Sequence, residues 1–125
     1  MERHTERGVG SEAGENGAAL WEAAGLIWTE RKTISRVDFI NGAIDSYGNG
    51  YLQQNCSLQF TTDGTTWLES GWSVSPEYPY SAAAAGQSYT FSGPELQGVL
   101  GVRVSGQTGA ESWSFSAAEL RAVGR

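Results

Sequence analysis

The chain is 125 residues long, 39% hydrophobic, only 18% charged and rich in glycine, with a formal net charge of -6. That length supports one domain with its own core, and the composition is that of a globular chain. Eight basic residues against fourteen acidic ones argue against nucleic acid and anionic membranes, which both call for concentrated positive charge.

Residues 1–17 are polar and Gly-rich, reading as a flexible N-terminal segment ahead of a folded domain over 18–125. No signal-peptide pattern lies near Met1, and no apolar run is long enough to cross a bilayer. The chain therefore reads either as a cytoplasmic protein or as a piece of a longer one, and the piece is the favoured expectation. His4, the only histidine, falls in this segment. Cys–His and Ser–His–Asp catalysis and a His-based metal site are left without a His in the domain.

The first strand is expected over 26–28 and the second over 33–41, where Val37 and Phe39 alternate with Arg36 and Asp38. Asn41-Gly42 turns the chain into a loop over 43–54, centred on Asn49-Gly50 with Tyr47 and Tyr51 on either side. A central strand follows over 56–62, with Leu58 and Phe60 on one face and Gln59 and Thr61 on the other. Asp63-Gly64 reverses it and brings Trp67 back toward it. Cys56, the only cysteine, reads as a small buried hydrophobe, and its N-x-S context is discounted as a glycosylation site.

Residues 67–74 form a further strand, and 75–87 an irregular segment in which Pro76 and Pro79 deny ladder hydrogen bonds. Short strands at 88–91 and 99–105 flank a Ser92-Gly93-Pro94 turn, and a strand over 112–123 closes the domain. Seven or so short strands joined by turn chemistry predict an all-β fold, a two-sheet antiparallel sandwich or jelly roll.

Four stretches, I-S-R-V-D-F (34–39), L-Q-F-T-T-D-G-T-T-W (58–67), G-V-R-V (101–104) and S-W-S-F-S-A-A-E-L-R-A-V-G (112–124), come in an order and spacing that resembles a discoidin domain. This is the coagulation-factor type C domain, whose bacterial relatives are the family-32 carbohydrate-binding modules. Trp21 resembles that family's early Trp. The resemblance implies a galactose-binding-like jelly roll, non-catalytic and appended to a larger secreted or surface protein, with a ligand site in loops at one end. It also implies a structural calcium ion. The run G-E-N-G-A-A-L-W (14–21) departs from the family's calcium loop, with Gly14 in place of its Asp and Ala19 in place of its Thr. Glu15 is then the substitute ligand, and Glu119 sits where relatives place a C-terminal Glu. Alternatively, Glu119 is a solvated strand residue or pairs with Arg103 or Arg121.

A sugar offers apolar C–H faces and a rim of hydroxyls, so its site needs an exposed ring among polar groups. Trp21, Trp28 and Trp67 read as packing residues, and Arg103 as a member of a structural pair. Trp72, Tyr78 and Tyr80 lie in or beside the Pro-rich segment, Trp113 at a loop-to-strand corner, and Tyr47, Asn49 and Tyr51 around a turn. These seven are the ligand-binding candidates. The expected activity is binding of carbohydrate, galactose-type glycans among them, outside the cell or at its surface. The rival is an assembly or adhesion domain of the same fold, marked by an apolar patch on a sheet face.

Overall fold

The computed structural model describes residues 2–7, 20–46, 48–108, 112 and 115–125. Among these residues there are seven strands, all antiparallel where they pair: β1 (Glu2–Arg7), β2 (Leu20–Asn41), β3 (Gln54–Thr61), β4 (Leu68–Glu69), β5 (Ser73–Ser75), β6 (Ser88–Thr108) and β7 (Ala117–Gly124). Among the described residues there is one 3₁₀ turn, Ala82–Ala84, capped by Ser81, whose hydroxyl accepts from the Ala83 N–H.

Two long strands carry the architecture. β2 and β6 pair along most of their length, from Leu20 opposite Thr108 to Ile40 opposite Ser88. At one end the order is β1-β2-β6-β3-β4; at the other, β7 pairs with β2 and β5 with β6. Register shifts between Ile27 and Arg36 separate the two ends. The polar run 29–32 falls there, which is why 26–28 and 33–41 look like separate strands in the sequence. They are one element. Pro94 likewise looks like a chain reversal, yet it lies inside β6. It is tolerated because it sits opposite this irregular stretch, where a missing N–H breaks no regular ladder.

Residues 2–7 differ from the sequence expectation. They form an edge strand along β2, from Glu2 opposite Ile27 to Arg7 opposite Glu22. The run E-R-H-T-E-R has no apolar alternation, so its pairing comes from the backbone edge that β2 presents. Charged residues are common on such edges because they discourage pairing with other chains.

The inward residues of both ends join one core cluster. Leu26, Leu58, Val102 and Val104 come from the first end, and Val37, Phe39, Tyr89, Phe91 and Leu120 from the second. The alternation read in the sequence holds for Val37 and Phe39; in β3 Leu58 is buried, but Phe60 is half-buried and Thr61, expected on the wet face, is buried. Phe39 lies at the centre of the aromatic packing, with ring centroids 5.2 Å from Tyr89 and 5.9 Å from Phe91.

The Asp63-Gly64 turn forms as expected, and its hydrogen bonds show why. The Asp63 carboxylate accepts from the Thr65 N–H at 2.8 Å and the Thr66 N–H at 2.7 Å. These bonds hold its pKa well below the ordinary 3.8. A depressed acid contributes stability above its ordinary value and loses it as pH falls. Asp63→Ala should therefore unfold at a lower temperature than wild type near neutral pH, with the gap closing as pH falls below 3.8. Melting curves across that range decide it; a gap that ignores pH would count against the account.

Candidate functional site

The described ligand-binding candidates separate by burial. Trp72 and Tyr78 were expected to show free ring faces, and they do not: Trp72 is 8% exposed and Tyr78 2%. Trp72 lies against Gly93, where an added Cβ would come within 2.3 Å of its ring, and its indole N–H donates to Pro94 O at 2.8 Å. Its polar neighbours Gly71 and Ser73 made it look solvated. The glycine across the sheet is what admits the ring to the interior.

Tyr78 reaches into the loop it helps to hold. Its hydroxyl donates to Asn41 Oδ1 at 2.8 Å and accepts from the Leu52 N–H at 2.9 Å. Asn41 Nδ2 in turn donates to the carbonyls of Gly42 and Gly50. Tyr51 is buried as well, and its carbonyl accepts from the Ser112 hydroxyl. Asn49 closes its turn on Asp45, both through its N–H and through its amide nitrogen. The loop over 42–53 is therefore tied down from inside. Tyr47, Trp113 and Glu15 lie outside the described residues.

Glu119 is an exposed residue on β7, opposite Ile40. Among the described residues no three acidic, His or Cys side chains gather as a metal cluster would require. Arg103 keeps the structural role expected of it: its Nε donates to Gln59 at 2.8 Å, and its guanidinium lies 4.3 Å from the Trp67 ring centroid.

Tyr80 is the candidate that remains open, at 39% exposure. It lines a cleft of about 460 Å³ together with Trp21, Asn55, Cys56, Ser57 and Glu69. Trp21 is half-buried at the start of β2 and pairs in register with Gln107. Asn55, Cys56 and Ser57 belong to β3, where its register against β6 shifts. That irregularity leaves the Cys56 N–H free to donate to the Tyr80 hydroxyl at 3.1 Å. The Tyr80 ring packs edge-on against buried Tyr78, so it is anchored from behind. Desolvation raises the pKa of its phenol, keeping it a neutral hydrogen-bonding group.

Two further contacts set the polar groups of the cleft. The Asn55 amide donates to Gln107 Oε1, and Glu69 accepts from Gln59 at 2.6 Å. Through Gln59 this wall continues to Arg103 and Trp67. Among the described residues, Asn55 and Tyr80 are also the non-glycine residues with left-handed backbone, at φ of 57° and 52°. Both line this one cleft. Such conformations persist only where their surroundings over-determine them, and they gather at ligand clamps.

Cys56 is half-buried here, and desolvation pushes its thiol up to about 12. It stays protonated at physiological pH and is a poor nucleophile. Iodoacetamide at neutral pH should alkylate the folded protein at least about tenfold more slowly than the unfolded one. Equal rates, followed by mass spectrometry, would contradict this environment.

The sequence pointed to Tyr80 but not to its partners. Trp21 reads as a packing residue, and Asn55 and Ser57 only as a discounted glycosylation motif. Only the fold brings 21, 55–57, 69 and 80 together. Protein-family models, curated proteins and solved structures were compared with the chain, and none matches.

Proposed function

We propose that the chain is a non-catalytic carbohydrate-binding module whose sugar site is the Trp21–Tyr80 cleft. The observation that carries this reading is the convergence, in one shallow cleft, of the Trp21 and Tyr80 rings and both left-handed non-glycine residues found among the described residues. The rings would cover apolar sugar faces; the Asn55 amide, the Ser57 hydroxyl and the Glu69 carboxylate would answer the hydroxyls. In the same reading the two ends of the β2–β6 ribbon are the two layers of a discoidin-like jelly roll, part of a larger secreted or surface protein. A shallow cleft buries little area, so affinity per site would be weak.

The assembly reading has less support. Among the described residues the exposed large hydrophobics are Leu68 and Tyr80, and two side chains do not make an apolar docking patch.

A glycan array, followed by calorimetry on the hits, tests the proposal. Trp21→Ala and Tyr80→Ala should each weaken binding about tenfold or more, a loss of about 1.4 kcal/mol, with circular dichroism unchanged. Full affinity in both variants would remove the cleft from consideration. A folded protein that binds no saccharide at millimolar concentration would remove the function.

A further inference from the structure

Among the described residues β7 pairs with β2 alone, so its other edge carries no ladder. Hydrogen bonds fix which backbone groups face that edge. Arg125 and Thr33 exchange two of them, Arg125 N to Thr33 O at 2.9 Å and Thr33 N to Arg125 O at 3.1 Å. Counting back in twos along β7, residues 123, 121 and 119 also turn their N–H and C=O toward β2. The β2 side agrees. Asn41 N donates to Gln87 O and Asn41 O accepts from Gly86 N, which turns Asn41 away from β7. Ile40, the partner of Glu119, therefore turns toward it. Leu120 and Ala122 are left aiming their backbone groups outward.

The side chains along this edge complement themselves. Glu119 and Arg121 are exposed and straddle Leu120, which is buried. Among the described residues neither has a hydrogen bond or an ion pair. A second β7 laid antiparallel along the first, with a two-fold axis at Leu120, sets Leu120 opposite Leu120 as a hydrogen-bonded pair, which its outward backbone allows. Glu119 then faces Arg121 of the second copy, and Arg121 faces Glu119. These are non-hydrogen-bonded positions, where side chains come closest, at Cα separations of about 4.5 Å. An axis at Glu119 or at Arg121 sets like charges face to face, and one at Ala122 leaves Arg121 opposite Val123. No proline interrupts 117–124.

We infer that β7 is a homodimerisation edge, to which a second copy of this chain adds its own β7 across a two-fold axis at Leu120, with two reciprocal Glu119–Arg121 pairs. Isologous pairing repeats each contact, so one complementary pair counts twice. A foreign peptide can also add to an open edge, but that mode does not call for opposite charges set two residues apart about an outward-facing backbone. Charges on an edge ordinarily discourage further pairing. Here their signs and spacing turn that repulsion into attraction in one register. The joint is made by backbone and charge rather than by an apolar patch, and it does not depend on the chain binding sugar. It buries little area, so association is weak and salt-sensitive.

The test is sedimentation velocity of the full chain at low salt, from about 10 μM to about 1 mM, the range of weak association. Wild type, Glu119→Arg, Arg121→Glu and the double swap Glu119→Arg/Arg121→Glu are compared, with circular dichroism confirming the fold of each. Wild type should dimerise within this range. Each single variant sets like charges opposite each other and should weaken the dimer about tenfold or more. The double swap should restore it. The decisive sample is an equimolar mixture of the two single variants. One carries two cations on the edge and the other two carboxylates, so they should pair with each other at about wild-type strength. Wild type that stays monomeric throughout would overturn the proposal. So would a dimer indifferent to these charges, or a mixture no more associated than its components. A monomer that instead takes up an added peptide along 119–123, read from amide shifts, would overturn it in favour of strand addition by another chain.

Discussion

Phe39→Ala is expected to lower the unfolding free energy by about 3–5 kcal/mol, the range for deleting a large buried aromatic. Phe39 is 1% exposed and meets four other rings: Tyr89, Phe91, Phe115 and Tyr78. Those rings come from β6, from the segment before β7 and from the Pro-rich segment. The cavity would thus open where distant parts of the chain meet, and none of the neighbours can move in without leaving its own partners. Rigid aromatic rings collapse poorly into such a gap, which places the loss high in the range. Chemical denaturation measures it, and a loss below about 1.5 kcal/mol, the scale of a volume-conserving swap, would mean that Phe39 is not the centre of the packing.

Tyr78→Phe is expected to cost about 2–4 kcal/mol, although it removes one oxygen. The hydroxyl answers two buried groups, Asn41 Oδ1 and the Leu52 N–H. Without it both are stranded, and each unsatisfied buried group costs about 1–3 kcal/mol. The ring itself still packs on Tyr80 and Tyr89, so the loss isolates the polar contribution. Desolvation holds the Tyr78 pKa well above its ordinary 10.0. A group with a raised folded-state pKa gives stability that is complete below the ordinary value and lost above it. The advantage of wild type over the variant should therefore be flat at neutral pH and shrink once pH passes 10.0. Paired urea melts at neutral and alkaline pH check both halves. A variant as stable as wild type would show that water satisfies the two groups equally well.

The core was the most legible part of the sequence. Val37 with Phe39, and Val102 with Val104, alternate with polar residues, and period-two alternation reports on which face is dry; in β3 it misleads, since Thr61 is buried and Phe60 half-buried. Continuity of the long strands was hidden. A strand that bends through a polar run and a proline carries the same local signals as a turn, and only its partner across the sheet distinguishes them. β1 was hidden for the opposite reason, since a charged edge strand has no pattern of its own.

The site was less legible than the core. Tyr80 stood out because it sits among prolines and polar residues, a local property. Trp72 and Tyr78 shared that setting, but what buries them is remote: Gly93 beneath one, and Asn41 with Leu52 around the other. Trp21 drew the reverse error, because its place in the cleft depends on where β3 and Tyr80 come to rest. Exposure of a ring is a tertiary fact, and alternation within one segment does not encode it.

The central ribbon brings Leu20 to Thr108 and Ile40 to Ser88. Its partners are thus separated by much of the chain, and closing so long a loop delays folding. On the ribosome, the earlier of the two strands has no mate until most of the domain has been synthesised. Its backbone edge is bare for that interval, and the charged segment Glu2–Arg7, made before it, pairs along that edge.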